Sequence, residues 1–514
     1  MERAVVVRRR LHDPSTGHRI DGAIRQRKGE HEMNAANHRV GVLVLASLLG
    51  VATPAAAYGA NAAPGEVPNL GFDRVTQEQI TSGRLKRDEI RKAGLRIFTT
   101  PFNKLDGYGD GPLNPRDTVS PGGRPTLQGN GTFLRVNGLD AQTCLECHSI
   151  VSNATIPASL GIGGVGGSNS NAMIQPTRID PADLEDLDGV ASFDGRFVNP
   201  PFVFGASGVE LLGLEMTEDL QALKVQALSN PGTVVPLVTK GVHFGTLVAD
   251  AFGNLNTSSI EGIDADLIVR RFGRKGEFAT TRDFDVAAMQ FHFGMQPVEA
   301  VGQGVDADGD GVVDEILVGE LSALQIFVAT IKRPFMAPLD STARRGFATF
   351  KEIGCASCHL PNLDTRDTTL PLRYPMVPTE PRVNVYYTID LSKPPVKFDG
   401  NAAGGVTVPL FADLKRHDMG AGLAESFSGA DDRKNRQFTT ARLWGVADTA
   451  PYLHDGRATT LTEAILLHGG EAQPVRGRFA ALGDDAKLEI LAFLRSLRTP
   501  VRPVEDLLGS DDRR

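Results

Sequence analysis

Apolar positions along this chain fall into a few helical stripes separated by long stretches with no period. Ile90, Gly94, Ile97 and Phe98 recur at helical spacing and predict a helix over about 81–98. A second helix is predicted from about Gly208 to Leu228, carrying Glu210, Leu211, Leu214 and Glu215, and a third from Val318 to Ile331. A fourth runs from about Ser341 to Lys351 and presents Phe347 and Phe350. The last starts near Asp484 and ends before Pro500, with Leu488, Leu491, Leu494 and Leu497 on one face. Thr460 and Glu463 have the spacing of a capping box, and Gly469-Gly470 ends the short helix they open. Met289, Phe291, Phe293 and Met295 alternate with Gln290, His292 and Gly294, the period of a strand. Between these elements, 105–140, 150–170 and 361–401 are rich in Gly, Pro, Ser, Asn or Arg and read as loops. The fold expected is mainly α with long irregular loops.

The order repeats. Each half reads helix, a short cysteine motif, an irregular middle and a closing helix. The motifs are Cys144-Leu145-Glu146-Cys147-His148 and Cys355-Ala356-Ser357-Cys358-His359, and they use all 4 cysteines of the chain. C-x-x-C-H is the attachment signature of c-type haem: two thiols reach the two vinyl groups of one porphyrin, and the histidine binds its iron. A zinc half-site or redox dithiol accounts for one C-x-x-C, but not for a histidine after both. Two tandem cytochrome c-like domains are expected, each with one covalent haem: 81–335 with insertions, and 336–500. A leader and signal peptide (1–57), an N-terminal arm (58–80) and a tail (501–514) flank them.

Composition narrows the class. Gly (56) and Pro (31) are abundant for 514 residues, which suits a chain whose interior is partly porphyrin. Net charge is −8 and no basic block follows the leader, which argues against nucleic acid as a partner. From Met33 the chain places His38 and Arg39 ahead of an apolar run, Val40 to Val51, then Ala55-Ala56-Ala57. That is the pattern of a secretory signal cleaved near Ala57, so a periplasmic or secreted protein is expected. No later segment reaches the roughly eighteen apolar residues of a membrane span, so no stable membrane insertion is expected. Asp306, Asp308 and Asp310, followed by Gly311, have the spacing that turns three carboxylates towards one Ca2+. The glutamate expected at the twelfth loop position is Leu317, which leaves calcium and a solvated acidic turn both open.

With these motifs in order, the chain resembles the bacterial dihaem cytochrome c peroxidase superfamily, closest to its dihaem oxidoreductase, thiol oxidoreductase-like branch. FADLKRHDMG, RLWGV, APYLHDGRATTLTEAILLHGGEA and LEILAFLRSL carry most of the likeness; GLDAQTCLECH, NPPFVFGASGVELLG and RFGRKG carry less. The resemblance spans about 83–498. It implies a peroxidase-like enzyme with its reactive iron at His148 and its electron-relay iron at His359.

The same resemblance proposes further site residues. In peroxidases of the superfamily the second axial ligand of the relay haem lies fourteen positions after the histidine of a Tyr-x-His-Asp-Gly motif. Counting from His454 lands on His468, where those peroxidases carry methionine. Met419 is the rival, and a helix-end histidine stabilised by the dipole is the plainer alternative. Glu210 falls where the branch has an acidic residue, which would serve as general acid–base for bound H2O2, with Glu215 as alternative. His292 is a minor candidate for ligand or distal base. Arg271 and Arg274 are candidate haem-propionate partners, and Trp444 either assists electron hopping or packs a core. His417 and His454 read as loop-anchoring hydrogen bonders. The expected partners are a small redox protein or organic electron donor, with H2O2 or O2 as oxidant. A dihaem electron carrier with both irons six-coordinate and a dioxygen-using oxygenase are the competing readings.

Overall fold

The computed structural model describes residues 66–109, 141–150, 173–179, 193–425, 432–504 and 506–507, with the backbone alone for 173–179 and 193–197. Residues 1–65, 110–140, 151–172 and those beyond Leu507, on which the expected signal peptide, most of two expected loops and most of the expected tail fall, lie outside the described residues. Pro68–Arg514 is one compact unit, distinct from Met1–Val67.

Two crossed helix pairs organise this unit. Helix α1 (Arg87–Thr99) is followed by α2 (Ala206–Ser229), α3 (Thr281–Phe293), α4 (Val318–Ala329), α5 (Ser341–Glu352), α6 (Leu461–Leu466) and α7 (Asp484–Leu494). The helix before each cysteine motif packs on the closing helix of the same half: α1 on α4, α5 on α7. Both crossings are closest at a glycine. A methyl on Gly94 would overlap the Ala323 carbonyl oxygen of α4, and one on Gly346 would overlap the Glu489 carbonyl oxygen of α7. The helix expected over 81–98 is broken at Gly83, whose φ is +71°. A separate turn, Gln77–Thr81, capped by Thr76, precedes it.

The residues read as a strand around Met289 form the end of α3. Thr280 explains the difference: its hydroxyl accepts from Asp283 N (3.0 Å) while Asp283 Oδ2 accepts from Thr280 N (3.2 Å). That box starts a helix well upstream, and Gly294 at φ +63° ends it. Met289 and Phe293, four apart, are buried, whereas Phe291 between them is exposed. In α7 the buried face is Ile490, Phe493 and Leu494; Leu488 is 58% exposed, so the expected leucine stripe is rotated. Leu497 leaves the helix and, with Arg498, pairs with Phe335–Met336.

The expectation of a mainly α chain needs correction, because the fold mixes helix with sheet. Six small antiparallel sheets of two or three strands occur among the described residues. Four strands, Leu363–Asp364, Thr369–Arg373, Val385–Asp390 and Asp399–Gly400, fall in the stretch read as polar loop. Leu370, Leu372 and Ile389 from these strands are buried in the same core as α1, α2 and α4. A second core joins Phe350 of α5 to Ile490 and Phe493 of α7, with Phe411 and Phe479. Trp444, 2% exposed, belongs to the first core although it lies late in the chain. Its ring stacks on Phe398 (centroids 6.3 Å) and abuts Gly205 at the start of α2, where a methyl would come within 2.9 Å. No described helix is long and apolar enough to cross a membrane.

Candidate haem sites

Both cysteine motifs fold into one tight helical turn, Cys144–Glu146 and Cys355–Ser357. In the first, the Cys144 carbonyl accepts from Cys147 N (3.2 Å) and His148 N (2.9 Å); in the second, Cys355 accepts from His359 N (3.0 Å). Such a turn carries the two cysteines on one side and delivers the histidine next to them. Thr143 Oγ1 donates to Phe98 O (2.9 Å), pinning the first motif to the end of α1. Gly354, at φ +94°, feeds the second motif directly from α5.

No disulfide joins any of the four cysteines. Burial pushes the Cys144 thiol well up, reinforced by the nearby Asp285 carboxylate, and pushes Cys355 up to about 11. His148 turns its Nδ1 to Pro201 O (2.7 Å) and His359 turns its Nδ1 to Phe411 O (3.1 Å). A carbonyl only accepts, so each Nδ1 carries the proton and Nε2 keeps its lone pair for a metal. Burial drives both imidazoles down to about 4, which keeps them neutral and able to ligate. Paired cysteines beside a neutral, oriented imidazole suit a covalent haem at each motif.

The two sites differ in what faces the histidine. His468, on the turn after α6, lies opposite His359, with ring centroids 6.4 Å apart and planes 59° apart. Its Nδ1 donates to Ala464 O (2.8 Å), and burial lowers its pKa, so it too presents a free Nε2. Met419 sits in the adjoining loop, its carbonyl against Gly469. His148 instead has the phenyl ring of Phe284 at 6.0 Å, edge-on at 79°. His292 lies further along α3, partly buried, and its charge acts on His148.

Glu210 is fully buried on α2. Its Oε2 accepts from Thr281 N (3.1 Å) and Thr281 Oγ1 (3.0 Å), and Oε1 accepts a long bond from Gln325 Nε2 (3.4 Å). Tyr386 donates to Gln325 Oε1 (2.9 Å), extending the chain. Helix α3 links this carboxylate to the first motif: Thr281 holds Glu210, Phe284 meets His148, and Asp285 acts electrostatically on both Cys144 and Glu210. Burial raises Asp285 well above the usual carboxylate range, and Glu210 raises it further against the pull of Arg282. Arg282 itself is pinned by Glu299 (Nε to Oε2 3.0 Å) and Ser322 Oγ (2.8 Å). A cleft of about 320 Å³ opens at the start of α3, lined by Phe278, Ala279, Asp283 and Val286.

Other expected residues serve the scaffold. Glu215 is also fully buried, but it accepts from the backbone of Arg366 (2.9 Å) and Asp367 (3.0 Å) and pairs with Lys240 (2.5 Å). Lys240 and Gly241, at φ +49° and +78°, form the hairpin turn between Val235–Thr239 and Val242–Ala249. Arg274 pairs with Glu425 (2.6 Å), and buried Arg271 donates to Val269 O (2.8 Å). His417 lies within ligand distance of Cys358 and Asp413. Its two nitrogens, however, meet Asp413 Oδ2 (2.8 Å) and Glu471 Oε2 (2.7 Å). Burial opposes its charge, but Asp413 and Cys358 outweigh that and push it up to about 11, so it is an imidazolium clamp. His454 stacks on Phe438 (4.4 Å) beside Glu425.

Sequence reasoning missed Asp285, Gln325 and Tyr386. The i, i+4 spacing of Thr281, Asp285 and Met289 was the available signal, and reading the segment as a strand concealed it.

Residues 397–497 match the family described as "Di-haem oxidoreductase, putative peroxidase". Among solved structures, the chain is similar to a hydrazine synthase of Kuenenia stuttgartiensis pressurised with xenon, at 14% identity and TM-score 0.31. That likeness covers 83% of this chain and 96% of the other. It is also similar to a MauG-like protein associated with microbial copper homeostasis, at 13% identity and TM-score 0.28, covering 59% and 93%. These scores are too low to carry a structural argument. No curated protein matches the chain. The match is confined to the second half of the chain, and haem is the cofactor that the family's description names.

Proposed function

We propose that this chain of the dihaem peroxidase-like superfamily is an exported c-type oxidoreductase. It reduces H2O2 at the first motif with electrons relayed through the second. The observation that carries the reading is an asymmetry among the described residues: His359 faces an imidazole, whereas the ring found against His148 is the phenyl of Phe284. A site with two strong protein ligands passes electrons, whereas one with a single strong ligand accepts an outside molecule. Cys144, Cys147 and His148, and Cys355, Cys358 and His359 with His468, would hold the two haems, which would supply the redox chemistry.

The protein's own part is proton handling and exclusion of water. Reduction of H2O2 to two waters consumes two electrons and two protons. Thr281 fixes Glu210 through Oε2, which leaves the weakly held Oε1 to take a proton from the near oxygen of peroxide and return it to the departing one. Asp285, whose carboxyl burial and Glu210 raise above its usual range, stands beside this carboxylate as a second acidic group. Gln325 and Tyr386 hold this arrangement in register. The cleft at Phe278 and Asp283 is the entry path for a small oxidant. Trp444, packed between Gly205 and Phe398, stands where the second half meets the helix bearing Glu210. The electrons come from a small redox protein or an organic donor.

Peroxide consumption by the purified holoprotein with a reduced dye as donor tests the reading. Glu210→Gln is expected to lower turnover about 10²–10⁴-fold at unchanged haem content. Turnover equal to the parent would remove Glu210 from the reaction. Consumption of O2 rather than H2O2 would replace the peroxidase reading by the oxygenase one.

A further inference from the structure

We propose that the loop from Asp306 to Glu315 is a calcium site, closed by Glu315 in place of the absent twelfth-position glutamate. Asp306, Asp308 and Asp310 bring one carboxylate oxygen each within 4.8 Å of one another. Asp306 shapes the turn by accepting from the backbone N of Gly309 (2.7 Å), Asp310 (3.1 Å) and Gly311 (3.1 Å). Turn geometry of this kind also occurs without a metal, so the argument rests on what surrounds it. Glu315 is 2% exposed, its Oε2 accepts from Gln296 N (2.7 Å), and its Oε1 is buried with no partner among the described residues. Asp308 Oδ2 is likewise buried and partnerless among them.

Glu315 packs against the Asn103–Gly107 turn, whose Lys104 reaches the loop. Its carboxyl is pushed up to about 8, first by burial and then by the charges of Asp308 and Asp310, with Lys104 pulling the other way. Gly107, at φ +93°, leaves the space Glu315 occupies; a methyl there would overlap its carboxylate. The Lys104 ammonium reaches Asp310 Oδ2 (3.0 Å), whose side chain is fully buried. Among the described residues Lys104 pairs with Asp310, while Asp308 and Glu315 each keep a buried carboxylate oxygen without a partner. Buried carboxylate oxygens without partners are costly, and a divalent cation satisfies several at once. Every donor is oxygen, with no sulfur or imidazole, which selects a hard cation. The glycine-rich loop, with Gly309, Gly311 and Asp314 at positive φ, is pliant enough for the irregular shell that Ca2+ accepts and Mg2+ does not.

The consequence is a clasp. Calcium would join this loop to the Asn103–Gly107 turn after α1, where Asp106 also holds the backbone of Asn69 (3.1 Å) and Leu70 (2.9 Å). It would secure the approach to the first cysteine motif without touching the chemistry.

Chelator-treated holoprotein titrated calorimetrically with CaCl2, and melted with and without it, tests this. A dissociation constant of roughly 10⁻⁵ to 10⁻³ M and a raised Tm are expected. Glu315→Gln and Asp308→Asn should each weaken binding by roughly tenfold or more at unchanged haem content. Asp308→Asn carries the test alone if the other variant does not fold. No heat and no Tm change would overturn the proposal. So would parental affinity in the variants, which would put the cation elsewhere, or equal affinity for Mg2+.

Discussion

His359 and His468 face each other with ring centroids 6.4 Å apart, and each donates its Nδ1 proton to a backbone carbonyl. Each ring thus keeps its Nε2 lone pair for a metal, which is what a six-coordinate relay centre would require of them. Replacing His468 by methionine exchanges imidazole for thioether, and the midpoint potential of that haem should rise on the order of 100 mV. A spectroelectrochemical titration reads it. An unchanged potential would move the second ligand elsewhere, with Met419 the next residue to replace.

The two helix crossings make a stability prediction. Gly94 and Gly346 occupy equivalent positions, each against a backbone carbonyl of the closing helix. Alanine at either should cost about 1–3 kcal/mol or more through overpacking, read by urea unfolding. A loss confined to one of them would break the equivalence of the pairs.

Glu210 and Glu215 are both fully buried on α2, yet their partners assign them different work. Glu215→Gln strips Lys240 of its partner and should destabilise the fold by about 3 kcal/mol. Turnover per haem should stay near parental. A variant that is stable but inactive would exchange the roles of the two glutamates.

His454 gives a pH dependence. Burial lowers it to about 4, although Asp455 and Glu425 pull upward. The folded protein thus holds a neutral ring, while the unfolded chain protonates at about 6.5. Stability from this group is present above pH 6.5 and lost as pH falls from there towards 4, by about 3 kcal/mol at most. His454→Gln should flatten the slope of unfolding free energy between pH 6.5 and 4.5. An unchanged slope would assign the dependence to other groups.

The parts of this fold legible in sequence were those with a strong local code. The C-x-x-C-H turns, α2, α4 and α5 stand where spacing and period placed them, because caps and apolar stripes are local properties. Strands such as Leu363–Asp364 and Thr369–Arg373 were hidden, since their burial comes from packing on a distant core rather than from alternation. Helix α3 was misread because four apolar residues at period two outweighed a capping box just upstream. Glu210 was visible as a residue, but its partners Thr281, Gln325 and Asp285 are brought together only by tertiary structure. The acidic loop lacks a glutamate at its twelfth position, and the burial of Glu315, which no local pattern signals, comes from tertiary packing.

Low-temperature electron paramagnetic resonance of the oxidised holoprotein, before and after H2O2, addresses the unequal irons most directly. The expected result is one low-spin species that peroxide leaves alone and that His468→Gly abolishes, beside a second species that peroxide converts. Two low-spin irons, both indifferent to peroxide, would contradict the account.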